Sequence, residues 1–290
     1  MNIKIIIICL LLIISIVFIK KYYELYSINW DTENCSKIRL YLSNPKKNIN
    51  DLQNINFSNV NMTLLQIATE KNQLNCVKLL LNNSNIDINR KNNIGKTAIH
   101  YCAEKWKGER NDNNKAICKL LSSRSDININ IKDNNDFTPL MVAAQSGNIE
   151  CVKLLLSTPN ININLVNNEN HSALYLSISK HQTRVSQILI SHPDINVNNL
   201  IGPDGENMIL KIAILKRKID IIKSLLFSKK IKKIDRELYP SLKNKDENIK
   251  EILNLFNKYN LLKSVKGYKQ TQSERPTEIP SEKPADKIKL

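Results

Sequence analysis

The stretch "DFTPLMVAAQSGNIECVKLLL", Asp136 to Leu156, decides the fold because the chain repeats its pattern. Thr138 suits the residue that caps a helix, and Pro139 suits the first helical position after it. Ser146-Gly147-Asn148 predicts a turn. Apolar residues at helical spacing follow that turn. The stretch therefore predicts two short helices joined by a tight turn.

The same pattern returns at a nearly constant interval along the chain. The five copies are anchored at Thr63, Thr97, Thr138, Ser172 and Met208, with spacings of 34, 41, 34 and 36 residues. We assign the long interval to six extra residues within Glu104–Asn114 and one in the loop before Asp126. A half-copy, Lys37–Asn50, precedes the array. One such unit cannot bury its apolar face alone, so we expect stacked units with a continuous core.

Several motifs in these copies carry a family resemblance. The "TPLMVAA" and "GNIECVKLLL" of the quoted stretch, the "TAIHYCA" that contains His100, and the "DININ" loops are similar to the ankyrin repeat. The resemblance is specific for Thr63–Asn198 and weaker for the copy at Met208. It implies an all-α fold, an ankyrin-repeat solenoid of stacked helix pairs with short β-hairpin turns. Members of the family bind protein partners through hairpin tips and first helices, and have no catalytic residues of their own.

The chain divides into five segments. Residues 1–21 are a transmembrane anchor or signal, and 22–56 are a linker with an N-terminal capping half-repeat. Residues 57–235 hold the repeats, 236–264 form a C-terminal capping helix, and 265–290 form a disordered basic tail.

The N-terminal segment is apolar. Ile3–Ile19 would span roughly 25 Å as a helix at ~1.5 Å per residue, slightly short of a ~30 Å hydrocarbon core. The sequence after Lys21 has no small-residue cleavage site, which favours an uncleaved single-pass anchor over a signal peptide. A secreted protein is the alternative. Flanking lysines and reduced cysteines favour a cytoplasmic repeat domain.

Six cysteines are spread along the chain without a CxxC pair or a histidine at zinc-binding spacing. They are Cys9, Cys35, Cys76, Cys102, Cys118 and Cys151. We interpret them as reduced core thiols, and we expect no metal and no cofactor. His100 is expected to bond to nearby turn groups. The sequence also lacks the common catalytic motifs, which argues against an enzyme.

Two regions are candidate contacts for another protein. The hairpin tips contribute Asn92, Asn93, Lys96, Asn134, Asn135, Asp136, Asn168, Glu169 and Asn170. The insertion contributes Trp106, Lys107 and Arg110, because exposed Trp and Arg anchor interfaces well. A tolerated surface loop is the alternative for the insertion.

The net charge of +16 favours anionic partners. Basic residues concentrate late in the array, at Lys216, Arg217, Lys218, Lys229, Lys230, Lys232 and Lys233. They form a solvated outer face or a patch for anionic lipid next to the anchor. Nucleic acid is disfavoured, because no aromatic residues interleave with the charges. We attribute part of the Lys and Asn content to an AT-rich gene.

Overall fold

A computed structural model describes residues 35–44, 46–54, 60–104, 111–198, 207–228, 230–231, 252 and 254–256. The predicted anchor, the insertion contacts Trp106, Lys107 and Arg110, and the basic tail lie outside these residues. So do Lys229, Lys232 and Lys233 of the predicted basic patch. Among the residues described, every helix is too short or too polar to span a lipid bilayer.

The structure consists of helix pairs, as the repeat pattern predicts. The half-copy and the first three repeats contribute α1 Ser36–Leu42, α2 Leu64–Glu70, α3 Leu74–Leu81, α4 Ala98–Ala103, α5 Asn111–Ser122, α6 Pro139–Ser146 and α7 Ile149–Leu156. The last two repeats contribute α8 Ala173–Ser179, α9 Thr183–Ser191, α10 Met208–Leu215 and α11 Ile219–Phe227. Two short strands, β1 Gln53–Asn54 and β2 Asn61–Met62, pair antiparallel before α2.

The first helix begins at a side-chain cap in four of the five repeats. Thr63, Thr138, Ser172 and Asn207 each accept a hydrogen bond from the backbone N–H three residues later. Such a cap satisfies one of the N–H groups that a helix start leaves unbonded, and it contributes about 1 kcal/mol. The predicted Thr and Ser positions therefore set where these helices start.

The helices stack in two rows. The first helices, α2, α4, α6, α8 and α10, each contact the next one along the row, and the second helices, α3, α5, α7, α9 and α11, do the same. Ala68, Ala103 and Ala143 are completely buried and let the first helices approach closely. One leucine from each second helix is likewise completely buried, at Leu80, Leu121, Leu155, Leu189 and Leu225. The core is thus continuous from repeat to repeat.

The described part of the predicted capping helix belongs to the same core. Ile252 and Phe256 are completely buried among the core residues. Most of residues 236–264 lie outside the described part, so the cap itself stays a prediction.

A row of asparagine amides ties the loops of neighbouring repeats together. The Asn130 Nδ2 donates to the Asn160 carbonyl at 2.8 Å, while its Oδ1 accepts from the Asn162 N–H at 2.8 Å. The other members of this row are Asn50, Asn89, Asn164 and Asn198, which bond to the loop of the next repeat. We call these five residues the amide clamps. The asparagines of the "IxIN" loops therefore have a structural role, and the composition of the gene is not the only explanation for them.

His100 makes the equivalent link between the first helices. Its Nδ1 accepts from the Thr97 N–H at 3.2 Å, and its Nε2 donates to the Phe137 carbonyl of the next repeat at 3.0 Å. Gln66 has the same role one repeat earlier, accepting from the Thr63 N–H and donating to the Lys96 carbonyl. The expected turn contacts of His100 are therefore present. Burial lowers the pKa of His100 below its ordinary value, because the charged imidazole loses hydration.

The insertion in the second repeat is longer than predicted. Lys119 and Lys153 carbonyls accept from Ser123 and Ser157 at the same point of α5 and α7, so no extra residue precedes Asp126. All seven additional residues lie within Glu104–Asn114. The prediction of one extra loop residue was wrong. The loop had been aligned by residue identity alone, without regard to which residues of the preceding helix are buried.

The interpretation of all six cysteines as reduced thiols was also wrong. Cys35 and Cys76 form a disulfide. The half-copy packs on the first repeat, so Cys35, which precedes α1, meets Cys76 on α3. A sequence separation of 41 residues hides this contact until the stacking is known. The bond links the N-terminal end to the array.

We predict that Asn130→Ala lowers the free energy of unfolding by about 1–2 kcal/mol, because it removes two hydrogen bonds between repeats. Asn82→Ala is the matched control, since Asn82 is exposed and its side chain has no bonding partner among the described residues. The control should stay within about 0.5 kcal/mol of the wild type in urea unfolding. Equal effects of the two substitutions would contradict the clamp.

We predict that His100 makes stability depend on pH. Its pKa in the folded chain lies below the ordinary 6.5, so the unfolded chain takes up the proton first as the pH falls. The neutral His100 side chain contributes fully to the free energy of unfolding above pH 6.5. This contribution is lost as the pH falls below 6.5, at up to about 1.4 kcal/mol per pH unit. His100→Gln should reduce this slope in thermal melts from pH 7.5 to 5, and Gln66→His should increase it. Unchanged slopes in both variants would refute the prediction.

Candidate functional site

Each of the three hairpin tips that the structure describes between the second and fourth repeats is organised by a buried Asn or Asp at its first position. The Asn92 Oδ1 accepts from the N–H groups of Ile94 and Lys96 at 3.1 and 2.9 Å. Asp133 and Asn167 accept in the same way from the residues two and four positions later. The tips 92–96, 133–137 and 167–171 are therefore the same turn built three times.

The fourth residue of each tip has a left-handed backbone. Gly95, Asp136 and Asn170 have φ values of 77°, 61° and 60°. Gly95 is also sterically required, because a Cβ there would lie 2.5 Å from the Asn134 backbone nitrogen. Gly, Asn and Asp tolerate this conformation best, so the residue type at this position is restricted.

Neighbouring tips bond directly to one another. The Asn134 N–H donates to the Ile94 carbonyl at 3.2 Å, and its Nδ2 donates to the Asn93 carbonyl at 3.0 Å. The Asn168 N–H approaches the Asn135 carbonyl at 3.4 Å. The tips thus form a continuous row along one edge of the stack, with side chains held at fixed intervals.

The structure divides the predicted tip residues into exposed and internal ones. Asn93, Asn134, Asn135, Asn168, Glu169 and Asn170 are exposed, and Lys96 and Asp136 are partly buried. Asn92 is only 6% exposed, and its amide also donates to the Tyr101 hydroxyl at 2.8 Å. Asn92 therefore shapes its tip and is removed from the candidate contacts. A binding role for the others stays a prediction.

An open groove runs between the tip row and the first helices. Its volume is about 540 Å³, and it is lined by Lys96, Glu104, Asp133, Asn135, Phe137, Val142, Gln145, Ser146 and Gln182. Phe137 and Val142 are the apolar part of the lining, while Asn135, Gln145 and Gln182 contribute amides. The groove therefore offers hydrogen-bond donors and acceptors beside a small apolar surface.

The charges of the groove are largely balanced. Lys96 Nζ and Glu104 Oε1 form a salt bridge at 2.6 Å, and the Lys96 ammonium lies 5.6 Å from the centre of the Tyr101 ring. Burial raises the pKa of Tyr101 to about 12, so its hydroxyl stays protonated. The Asp133 carboxylate is occupied by backbone N–H groups of its own tip. No single sign of charge dominates the groove.

The predicted basic patch is not one uniform surface. Lys216 and Arg217 are exposed in the turn between α10 and α11, and Lys218 is partly buried next to them. The Lys230 Nζ instead donates to the His192 carbonyl at 2.6 Å, near the end of α9. Lys230 therefore contacts the preceding repeat, and its ammonium group is partly used in this hydrogen bond. Prediction from charge density alone missed this contact.

Three thiols meet inside the stack, at a place that local sequence spacing did not indicate. The Cys118 Sγ lies 2.7 Å from the Cys102 Sγ and 3.0 Å from the Cys151 Sγ. The three residues come from α4, α5 and α7 and are at most 1% exposed. Burial raises the pKa of Cys102 and Cys118, whereas hydrogen bonds from those two thiols lower the pKa of Cys151. We call these residues the thiol cluster.

The thiol cluster is also the one group of potential metal ligands among the described residues. All three Sγ atoms lie within 4.8 Å of one another. The expectation of no metal-binding cluster rested on ligand spacing within a short stretch of sequence. Aligning the buried positions of α5 with those of the other second helices could have revealed the cluster. The error in the loop before Asp126 shifted Cys118 in that alignment.

Comparison with known proteins agrees with the repeat geometry. A family model described as "Ankyrin repeats (3 copies)" matches residues 31–130 and 108–199. No curated protein matches the chain significantly. Ankyrin repeats indicate a protein–protein interaction scaffold. Since the matched residues cover more than half of the sequence and coincide with the stacked helix pairs, the chain belongs to the ankyrin-repeat family.

Proposed function

We propose that the chain is a non-enzymatic scaffold that binds an extended segment of a partner protein in the groove between tips and first helices. The observation that carries this proposal is the lining of the groove, in which three amide side chains stand beside Phe137 and Val142. An amide can donate and accept at once, as the backbone of an extended peptide requires. The apolar residues would receive one or two side chains of that peptide.

The balanced charge of the groove further restricts the class of peptide segment that it would bind. Lys96 is paired with Glu104, and Asp133 is engaged within its tip. A segment with a high charge of either sign would gain little from such a groove. The proposed partner is therefore a largely uncharged, extended peptide segment with a small apolar side chain.

The scaffold is proposed to be displayed from a membrane by residues 1–21, with a secreted form as the alternative. The disulfide changes the side of the membrane on which we expect the repeat domain to lie. The cytoplasmic placement rested in part on reduced cysteines, but disulfides such as Cys35–Cys76 are rare in the cytosol. Display toward an oxidising compartment is thus the better supported arrangement. The remaining alternative, a binder of anionic surfaces, is weakened by the partial commitment of Lys230.

Site-specific photo-crosslinking in native cells tests the groove. A photoreactive phenylalanine at Asn135 should give a discrete cross-linked product, and one at Lys153, which is exposed on the second-helix row, should not. Gln145→Trp should remove the Asn135 product, because it fills the groove while the fold is retained in a thermal melt. A product that survives Gln145→Trp, or equal products at Asn135 and Lys153, would refute binding in the groove.

Deletion of residues 1–21 tests the membrane display. The truncated chain should move from the carbonate-resistant membrane fraction to the soluble fraction, because the apolar segment supplies the attachment. Lys216→Glu with Arg217→Glu in the full chain is the matched control and should remain in the membrane fraction. Unchanged membrane association after the deletion would contradict the anchor. A mature chain that has lost this segment would support the secreted form.

A further inference from the structure

The thiol cluster lies at one interface, between the second and third repeats. The equivalent positions in other repeats carry alanine, serine, valine or isoleucine, and one carries Cys76, which forms the disulfide. Ala68, Ala143 and Ser177 match Cys102; Val77, Val152 and Ser186 match Cys118; Cys76 and Val185 match Cys151. The stack therefore does not need sulfur at any of the three positions to pack, and the convergence of three thiols requires a separate explanation.

The chemistry of the cluster points to a soft metal ion. Thiolates are the ligands that Cu(I) and zinc prefer among protein side chains. Structural zinc takes four ligands, whereas no His, Asp or Glu joins the three sulfurs in the described part of the chain. Three sulfurs without a fourth donor suit an ion that accepts three-coordinate geometry. We propose that Cys102, Cys118 and Cys151 form a buried trigonal site for Cu(I).

The dimensions of the cluster allow this with a small adjustment. Sulfurs bound at about 2.3 Å around one ion in a trigonal plane stand roughly 4 Å apart. The two measured separations from the Cys118 Sγ are 2.7 and 3.0 Å. Binding would therefore move the Cys118 sulfur outward by about 1 Å relative to its neighbours. Since the three residues belong to three different helices, this movement requires an adjustment of side chains or helices between the repeats.

Binding of Cu(I) is coupled to loss of the thiol protons. A thiolate is the form of cysteine that binds a metal ion. A buried charge is costly unless it is paired or bound to metal. Each bond from Cu(I) to a thiolate forms as one thiol proton leaves to solvent, and no electron is transferred. Binding should consequently strengthen as the pH rises.

Entry of the ion requires opening of the stack, because no cluster side chain is more than 1% exposed. The test therefore adds Cu(I) both to the native full chain and during its refolding. The protein is kept in detergent, without oxygen, with ascorbate as the reductant and a chromogenic Cu(I) chelator as the competitor. The wild type should retain one Cu(I) ion per chain against the chelator, and X-ray absorption should show three sulfur neighbours.

Each test variant replaces one cysteine of the thiol cluster with a residue that another repeat carries at the equivalent position. Cys102→Ala, Cys118→Val and Cys151→Val should each lose the retained ion while keeping the helical content and melting behaviour of a folded stack. Cys9→Ser is the matched control, since this cysteine lies outside the cluster, and it should keep the ion. The X-ray absorption result on the wild type does not depend on the folding of any variant.

Three results would overturn the proposal. The first is retention of no more Cu(I) by the wild type than by Cys118→Val. The second is preferential binding of zinc with nitrogen or oxygen neighbours. The third is a disulfide from Cys118 to Cys102 or Cys151 in protein isolated from native cells, detected by non-reducing peptide mapping. None of these outcomes depends on whether the groove binds a partner, so the two proposals can fail separately.

Discussion

The stacking of each repeat against the next is the constraint on which the rest of the structure depends. Isolated helices shorter than about 12–15 residues are marginal in water. Except for the 12-residue α5, the helices of the array have six to nine residues. Their apolar faces are buried partly within each helix pair and partly where neighbouring repeats meet. A helix pair of this chain is therefore stable because of its neighbours, and polar contacts set the geometry of that stacking.

Two kinds of polar contact fix how neighbours meet. On one side, the amide clamps hold successive loops at a constant spacing through a donor and an acceptor on the same side chain. Near the tips, Gln66 and His100 join a helix start to the tip of the next repeat. Between these contacts the tips bond to each other. Exposed tip side chains such as Asn135 and Glu169 can vary more freely than the buried first residue and the left-handed fourth residue of each tip. This separation of constant and variable positions suits a scaffold whose specificity lies at its edge.

The repeat pattern in the sequence was sufficient to predict the helix pairs, the capping positions and the turn contacts of His100. Contacts between repeats were not predictable from the same pattern. The Cys35–Cys76 bond, the thiol cluster and the Lys230 contact join residues that are 16 to 41 positions apart. Each depends on the exact phase of two neighbouring helices, and a one-residue error in the loop before Asp126 was enough to hide the position of Cys118. Of the candidate site, the location of the tips was predicted, but the internal role of Asn92 was not, because composition does not distinguish a turn-forming amide from an exposed one.

If stacking holds the surface tips rigidly, their backbone amides should be protected from exchange with solvent. Hydrogen–deuterium exchange of the full chain tests this protection most directly, at the amides of Lys96, Asn134 and Phe137, which lie in loops but donate hydrogen bonds. We expect these amides to exchange as slowly as those of α4 and α6 in the same repeats. Exchange at the rate of a free loop, while the helices remain protected, would contradict it.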